Sequence, residues 1–496
     1  MSECCAKLHC GACALSRRKF IAAGAAALIP ARGYAAHERQ QPIHLPLTVQ
    51  PLLTYEIPKR REGTSYRQWG GIQTEAEVAQ EKERIGRELQ ALAQADRRLQ
   101  ILPCQTAQTA EESAAVANGS HDVTLMYAAG GNVRVVEAAT DPRKWTLMFL
   151  RHRSGPVSLW YEIAHPRYLR KTVDEFGQPG AGIDDVVVDS QAEVTLRLRA
   201  LRGLKNTLGK RIVAVGGPSG WGVGGRKAPE ISRNEWKLDI HTVGYPELGE
   251  RIQRARQDEA RMKRCASEAN RYLKQKGVRL ETSREFVSKA FLLTDVFRDL
   301  LDEAQTDAIT INQCMGTIMK VSETTACLPL SVLNDEGYLA FCESDFVVIP
   351  SGILLHYISG TPVFLNDPTH PHDGLVTLAH CTAPRKMDGE HAEPARILTH
   401  FESDYGAAPK VEMRKGQRVT NLIPDFANRK WVGFDGEIVD NPFLAICRSQ
   451  IDVAIRGDTQ TLLEEMKGFH WMTGYGNYLR ESRYALGKLG VQMRIV

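Results

Sequence analysis

Along most of the chain short apolar runs alternate with amphipathic stretches of helical period, and the alternation changes character near residue 395. Runs at 100–103, 122–127 and 145–151 predict strands, and Val78, Ile85, Leu89 and Leu92 amid dense Glu, Lys and Arg predict an amphipathic helix over 74–99. A second series begins at 184–188. It continues with a helix over 190–208, a strand at 211–215, a charged helix over 258–276 and a helix over 283–304 capped by Ser283, then a strand at 308–311. From 395 onward short alternating runs broken by turns predict an antiparallel β module. The expected fold is α/β: two Rossmann-like α/β domains, 37–171 and 172–384, followed by a C-terminal antiparallel β-barrel-like domain, 385–496. Within the first, residues 37–70 are rich in Pro, Arg and Gln and read as a linker or wrapping arm.

The stretch 338–384 carries the most chemistry. It reads as a strand at 339–341, a helix over 346–359, a strand at 362–365 and a further apolar run at 375–379. Glu343 and Asp345 follow the first strand, Asn366 and Asp367 the second, and His380 the third; Asn312 ends the strand at 308–311. Parallel strands joined by right-handed crossovers bring their C-terminal ends to one sheet edge, where open α/β sheets place ligands. Carboxylates, an amide and an imidazole gathered there suit Mn²⁺, Mg²⁺ or Zn²⁺. The plain alternative is that Asp and Asn end strands because they make turns.

Composition narrows the class. At 496 residues the chain exceeds one ordinary core, and a net charge of +4 with both signs interspersed argues against a nucleic-acid surface. No apolar run reaches the roughly 20 residues of a membrane span. The short run at 22–29 follows Ser16-Arg17-Arg18-Lys19-Phe20-Ile21 and precedes Gly33-Tyr34-Ala35, the order of a twin-arginine signal peptide over 1–36, so an exported, periplasmic protein is expected. Four of the eleven cysteines lie in that segment; the other seven are dispersed and odd in number, which excludes a disulfide framework and makes most of them small buried hydrophobes. The loop 216–225 contains Gly220-Trp221-Gly222-Val223-Gly224-Gly225, formally a dinucleotide fingerprint, but no apolar helix follows it. It reads instead as a flexible active-site or packing loop.

Five motifs in order carry a resemblance. They are Phe341-Cys342-Glu343-Ser344-Asp345, Val363-Phe364-Leu365-Asn366-Asp367, Ala379-His380-Cys381-Thr382-Ala383-Pro384, Thr399-His400-Phe401-Glu402-Ser403 and the tail from Gly468 to Gly476. From the second α/β unit to the C-terminus the chain resembles the L-fucose isomerase and L-arabinose isomerase superfamily. The resemblance implies a metal-dependent aldose–ketose isomerase acting on a sugar or sugar derivative, with a divalent metal, usually Mn²⁺. Carried over by position, the ligands are Glu343, Asn366 and His470, although a lone His470 beside Trp471 would otherwise read as a packed residue. Glu343 is the expected base, Asp367 or Asp345 the substitute for a second carboxylate, and His380, Asn312, Asp345 and Trp221 the expected sugar contacts. A homo-oligomer, trimer or hexamer, is implied as well. The chain departs from the family at Asn366, because an amide oxygen can ligate a metal but cannot take a proton. The alternatives are a non-catalytic carbohydrate-binding protein of the same fold, a one-base epimerase, or a zinc hydrolase using His370, His372 and His380.

Overall fold

The computed structural model describes residues 44–158, 168–169, 180–427 and 429–496. The expected signal peptide over 1–36 lies outside the described residues. Strands β1 (Leu47–Thr54), β2 (Leu99–Ile101), β3 (Gln105–Ala107), β4 (Val123–Ala128), β5 (Trp145–Leu150) and β6 (Val186–Val188) form an all-parallel sheet in the order β2-β1-β4-β5-β6, with β3 also on β1. Its central strands are buried on both faces, as parallel sheets are. One face packs on the helices Glu75–Ala95 and Gln191–Thr207 through Val78, Ile85, Leu89, Val194 and Leu198. The first of these helices carries a reciprocal capping box between Thr74 and Glu77.

Two expectations fail in this sheet. Residues 47–54 are an interior strand of it rather than part of an arm. Pro51 hides this, since a proline cannot donate to a ladder, but it stands where the partner changes from β2, paired through Val49, to β3, paired from Leu52. There the Gln50 side-chain amide donates to the carbonyls of Pro51 and Pro103, both at 2.9 Å, and fills the break. The other correction is β6, expected to open the second unit, which pairs with β5 and completes the first sheet.

The second parallel sheet has the order β11-β10-β7-β8 and is built from β7 (Arg211–Val215), β8 (Asp239–Val243) and, after β9 (Val278–Leu280), β10 (Ala308–Ile311) and β11 (Leu339–Phe341). Gly216, Asn312 and Cys342-Glu343 follow three of its strands, so these residues share its C-terminal edge. The long helix Arg284–Ala304 buries Val287, Ala290, Leu293, Val296, Phe297, Leu300 and Leu301 and is capped by Ser283, which accepts from the Glu285 amide.

The remaining chain forms a closed barrel. β12 (Val363–Pro368) and β13 (Leu375–His380) precede a small sheet in which β14 (Ala395–Leu398) pairs with β15 (Ala408–Val411) and with β9. After them come β16 (Arg418–Ile423), β17 (Lys430–Asp440), β18 (Ser449–Ile455), β19 (Trp471–Tyr475) and β20 (Gln492–Ile495). Six antiparallel strands run β16-β19-β12-β13-β18-β17, and β17 pairs back onto β16; β20 adds to β17 in parallel. β12 and β13 were expected beside β11 in the α/β sheet; they belong to the barrel, on β19 and β18.

The intervening helix explains why. Ile349–Ser359 is apolar on every side and buried from Ile349 to Ile358, so it needs cover on opposite faces. It lies between β11 and the barrel, and a Cβ on Gly352 would come 2.6 Å from Phe341 and 2.5 Å from Met472. The chain therefore leaves one sheet, crosses a helix and enters the other. Among the described residues no helix is long and apolar enough to cross a membrane.

Candidate metal centre

Where β11 ends, the backbone turns through two consecutive non-glycine residues in the left-handed region, Glu343 at φ 61° and Ser344 at φ 47°. Such conformations cost of order 1 kcal/mol or more each and persist only where the surroundings enforce them. Here the Ser219 amide donates to the Ser344 carbonyl at 3.0 Å, and the Phe346 amide donates to the Ser219 carbonyl at 3.0 Å. The turn aims Glu343 across the sheet edge toward the barrel.

Asp345 does not face a ligand cavity. It is 1 % exposed, and its carboxylate accepts from the Trp221 and Val347 amides at 3.2 and 3.0 Å and contacts His470 Nδ1 at 2.7 Å. It thereby ties the glycine-rich loop, the turn and the barrel together. With Nδ1 engaged, His470 presents Nε2 to the site, the arrangement by which a carboxylate fixes a ligating histidine. Asp345 is a positioning residue rather than the expected sugar contact.

His470 Nε2 lies 3.1 Å from Asp367 Oδ1 and 3.7 Å from Glu343 Oε2. His470 Nε2 and Asp367 Oδ1 are both buried, and neither has a hydrogen-bond partner despite their closeness. Unpartnered buried polar atoms are costly, and two of them facing a carboxylate suit an ion that would satisfy all three. Two carboxylates and an imidazole are a donor set for Mn²⁺ or Zn²⁺.

Asn366 is anchored away from Asp367 by its amide nitrogen. Adjacent strand residues point to opposite faces, and the Asn366 amide donates to the Phe364 carbonyl at 2.8 Å and to Thr473 Oγ1 at 2.9 Å. Thr473 in turn donates to Asn421 Oδ1 at 2.6 Å. The residue expected as a ligand is thus held in the barrel by its amide nitrogen, with Oδ1 buried and without a hydrogen-bond partner, and Asp367 brings a second carboxylate. Its pairing with β19 puts Asn366 opposite Trp471, which leaves Asp367 beside His470.

The surrounding groups set the charge. Burial would lift the Glu343 carboxyl, but the neighbouring His380, the charge of His470 and the Trp221 hydrogen bond outweigh it and hold it down to about 2. Burial pushes Asp367 upward and outweighs the attraction of His380 and His470. His380 is 3 % exposed with Nε2 3.7 Å from Glu343 Oε1; burial disfavours its charged form, yet Glu343 and Asp367 raise it to about 9. Ligand atoms of Glu343, His380 and His470 all lie within 4.8 Å of one another.

Outside this core a cavity of about 540 Å³ is lined by Trp221, Asn312, Cys314, Met315 and Glu343. Trp221 Nε1 donates to Glu343 Oε2 at 2.7 Å, and its ring stacks on Phe469 at 4.2 Å between centroids. Trp221 and Phe469 are each 48 % exposed, an apolar platform at the cavity mouth. Phe469 was not among the expected site residues; its place directly before His470 is the only sequence signal for it. His370 and His372 sit exposed on the turn between β12 and β13, and among the described residues neither joins a ligand cluster, so the proposed zinc triad with His380 does not form.

No protein-family model matches this chain, and no curated protein sequence matches it.

Proposed function

We propose that this protein is a metal-dependent aldose–ketose isomerase of the kind the five motifs suggest, acting on a sugar or sugar derivative, with Glu343, Asp367 and His470 as metal ligands. The observation that carries this reading is the meeting of a parallel-sheet edge and a barrel at two carboxylates and a histidine, with two buried donor atoms left unpartnered. Mn²⁺ or a similar divalent ion, when bound, would polarise the carbonyl of an open-chain sugar and acidify the adjoining C–H.

The chain's own residues divide the proton work. Glu343 is held ionised and is the base that takes a proton from the carbon beside the carbonyl. Asp367, the second carboxylate beside His470, is the group that returns a proton to the neighbouring carbon. The shuttle needs two carboxylates, and Asp367 supplies the one that the amide of Asn366 cannot. Trp221 fixes Glu343 through its indole N–H, and the Trp221–Phe469 face suits the C–H side of a sugar ring or chain. Asn312 and His380 supply polar contacts.

The test is exchange of solvent deuterium into a panel of aldoses and ketoses, with Mn²⁺ present and after chelation. Ion-dependent exchange is expected, lowered by about 10²–10⁴-fold in Glu343→Gln. Tight Mn²⁺ binding without exchange into any sugar, or exchange untouched by Glu343→Gln, overturns the proposal.

A further inference from the structure

A second cluster of metal-ligating side chains lies on the other side of the His380–Cys381 step. Cys327 opens the helix Cys327–Asp335, Cys381 follows β13, and His400 follows β14. One ligand atom from each of these three lies within 4.8 Å of the others, and all three residues are buried. Cys447, from the segment before β18, packs against the same cluster. All four come from separate elements, and none of the cysteines is in a disulfide.

Details around the cluster resemble those around a bound ion more than those around ordinary buried thiols. His400 is 5 % exposed, and its Nδ1 is engaged by Ser403 Oγ at 3.2 Å, which leaves Nε2 as the nitrogen available to a metal. The Arg448 amide donates to Cys381 Sγ at 3.4 Å, a contact that favours a thiolate. The Arg448 guanidinium is tied by Nε to the Thr399 carbonyl at 2.8 Å, so the segments carrying Cys447 and His400 are held in register. Three thiols and one imidazole are a donor set of structural zinc sites, and sulfur ligands select Zn²⁺ over Mn²⁺ or Mg²⁺.

We propose that Cys327, Cys381, Cys447 and His400 form a structural Zn²⁺ site that fastens the helix Cys327–Asp335 to the barrel, separate from the oxygen-rich centre at Glu343, Asp367 and His470. Binding displaces the thiol protons to solvent and forms three zinc–sulfur bonds and one zinc–nitrogen bond, with no change of oxidation state. Because Cys381 directly follows His380, the site also holds the end of β13 beside Glu343.

The experiment uses the full-length protein. Metal content is measured after purification, and the zinc is then exchanged for Co²⁺. A near-ultraviolet thiolate-to-cobalt absorption is expected in the native protein and in Glu343→Gln, and is expected to vanish in Cys327→Ala. Chelation of the zinc should lower the thermal midpoint in both proteins that bind it. A native protein with neither zinc nor a thiolate-to-cobalt band overturns the proposal, as does a disulfide between any two of the three cysteines in unreduced peptide mass spectra. If Cys327→Ala fails to fold, the native and Glu343→Gln spectra decide. Since Glu343→Gln removes only the oxygen-rich centre, loss of the band there would also refute two separate sites.

Discussion

The two parallel sheets end in buried charge of opposite kinds. After β5 of the first sheet, Arg151 is 6 % exposed, and every side-chain nitrogen is used: Nε on Glu81, Nη1 and Nη2 on Glu88 at 3.2 and 3.0 Å. Gln191 and Arg84 add to Glu88, both at 3.0 Å, and the guanidinium lies 5.3 Å from the Phe149 ring centroid. The guanidinium is saturated, although Gln191 Oε1 and the Tyr127 hydroxyl beside it are buried without a hydrogen-bond partner. At the edge of the second sheet, Glu343 faces His470 Nε2 and Asp367 Oδ1, two buried atoms that have no hydrogen-bond partner. The two clusters share an architecture and differ in whether their charged groups are satisfied: the Arg151 guanidinium is saturated, whereas His470 Nε2 and Asp367 Oδ1 are not.

Substitutions at the open cluster should act on metal binding. Asp367→Asn is expected to weaken Mn²⁺ by well over the roughly 10–100-fold that changes to a ligand's supporting partner produce; titration calorimetry checks it. Asn366→Asp, one residue away, should leave the Mn²⁺ stoichiometry intact and cost about 3 kcal/mol or more in stability, because a carboxylate would meet the Phe364 carbonyl. If Asn366→Asp instead abolished metal binding, the assignment of the two neighbours would be reversed.

At the Arg151 cluster the readout is stability rather than metal binding. Arg151→Met leaves Glu81 and Glu88 without their buried partner and should lower unfolding free energy by about 3–5 kcal/mol in denaturant titration, with metal content unchanged. Loss of metal in that variant would break the contrast.

A third buried group, outside both clusters, should show itself by pH. His356 is buried and stacked beside His44; burial, then the charge of His44, pushes its pKa down to about 3. Its Nδ1 contacts the Thr361 carbonyl at 2.9 Å, and Nε2 has no partner. Between the unfolded value near 6.5 and about 3, the unfolded chain binds a proton that the folded chain refuses, so stability falls as pH falls through that window, by up to about 1.4 kcal/mol per unit. His356→Asn should flatten that limb of the stability curve; an unchanged slope assigns it to other groups.

Much of the architecture is legible in the amino-acid order. Helices with a clear 3.6 period and a capping residue, such as Glu75–Ala95 behind Thr74 and Arg284–Ala304 behind Ser283, stand where their spacing puts them. The parallel sheets and the barrel follow from the switch to short alternating runs. Partnership is harder to read. An apolar run such as Val363–Leu365 pairs as well with a barrel strand as with β11, and only the all-round burial of Ile349–Ser359 decides between them. Glu343, Trp221 and Asn312 meet as their strand and loop positions suggest. The exchange of Asn366 for Asp367 depends on register across β12 and β19, which no local pattern carries. The meeting of Cys327, Cys381 and His400 is equally invisible, because their spacing in sequence has no metal-binding regularity.

The Asp345–His470 contact joins residues 125 apart in the chain. During synthesis the sheet edge carrying Glu343 is complete long before β19 exists, so a nascent chain holds one half of the centre and waits for the other. Long-range closure of this kind comes late in folding. The pairing of Glu343 with His470 is thereby coupled to the docking of the last barrel strands, and a chain truncated before β19 would lack the histidine half of the cluster.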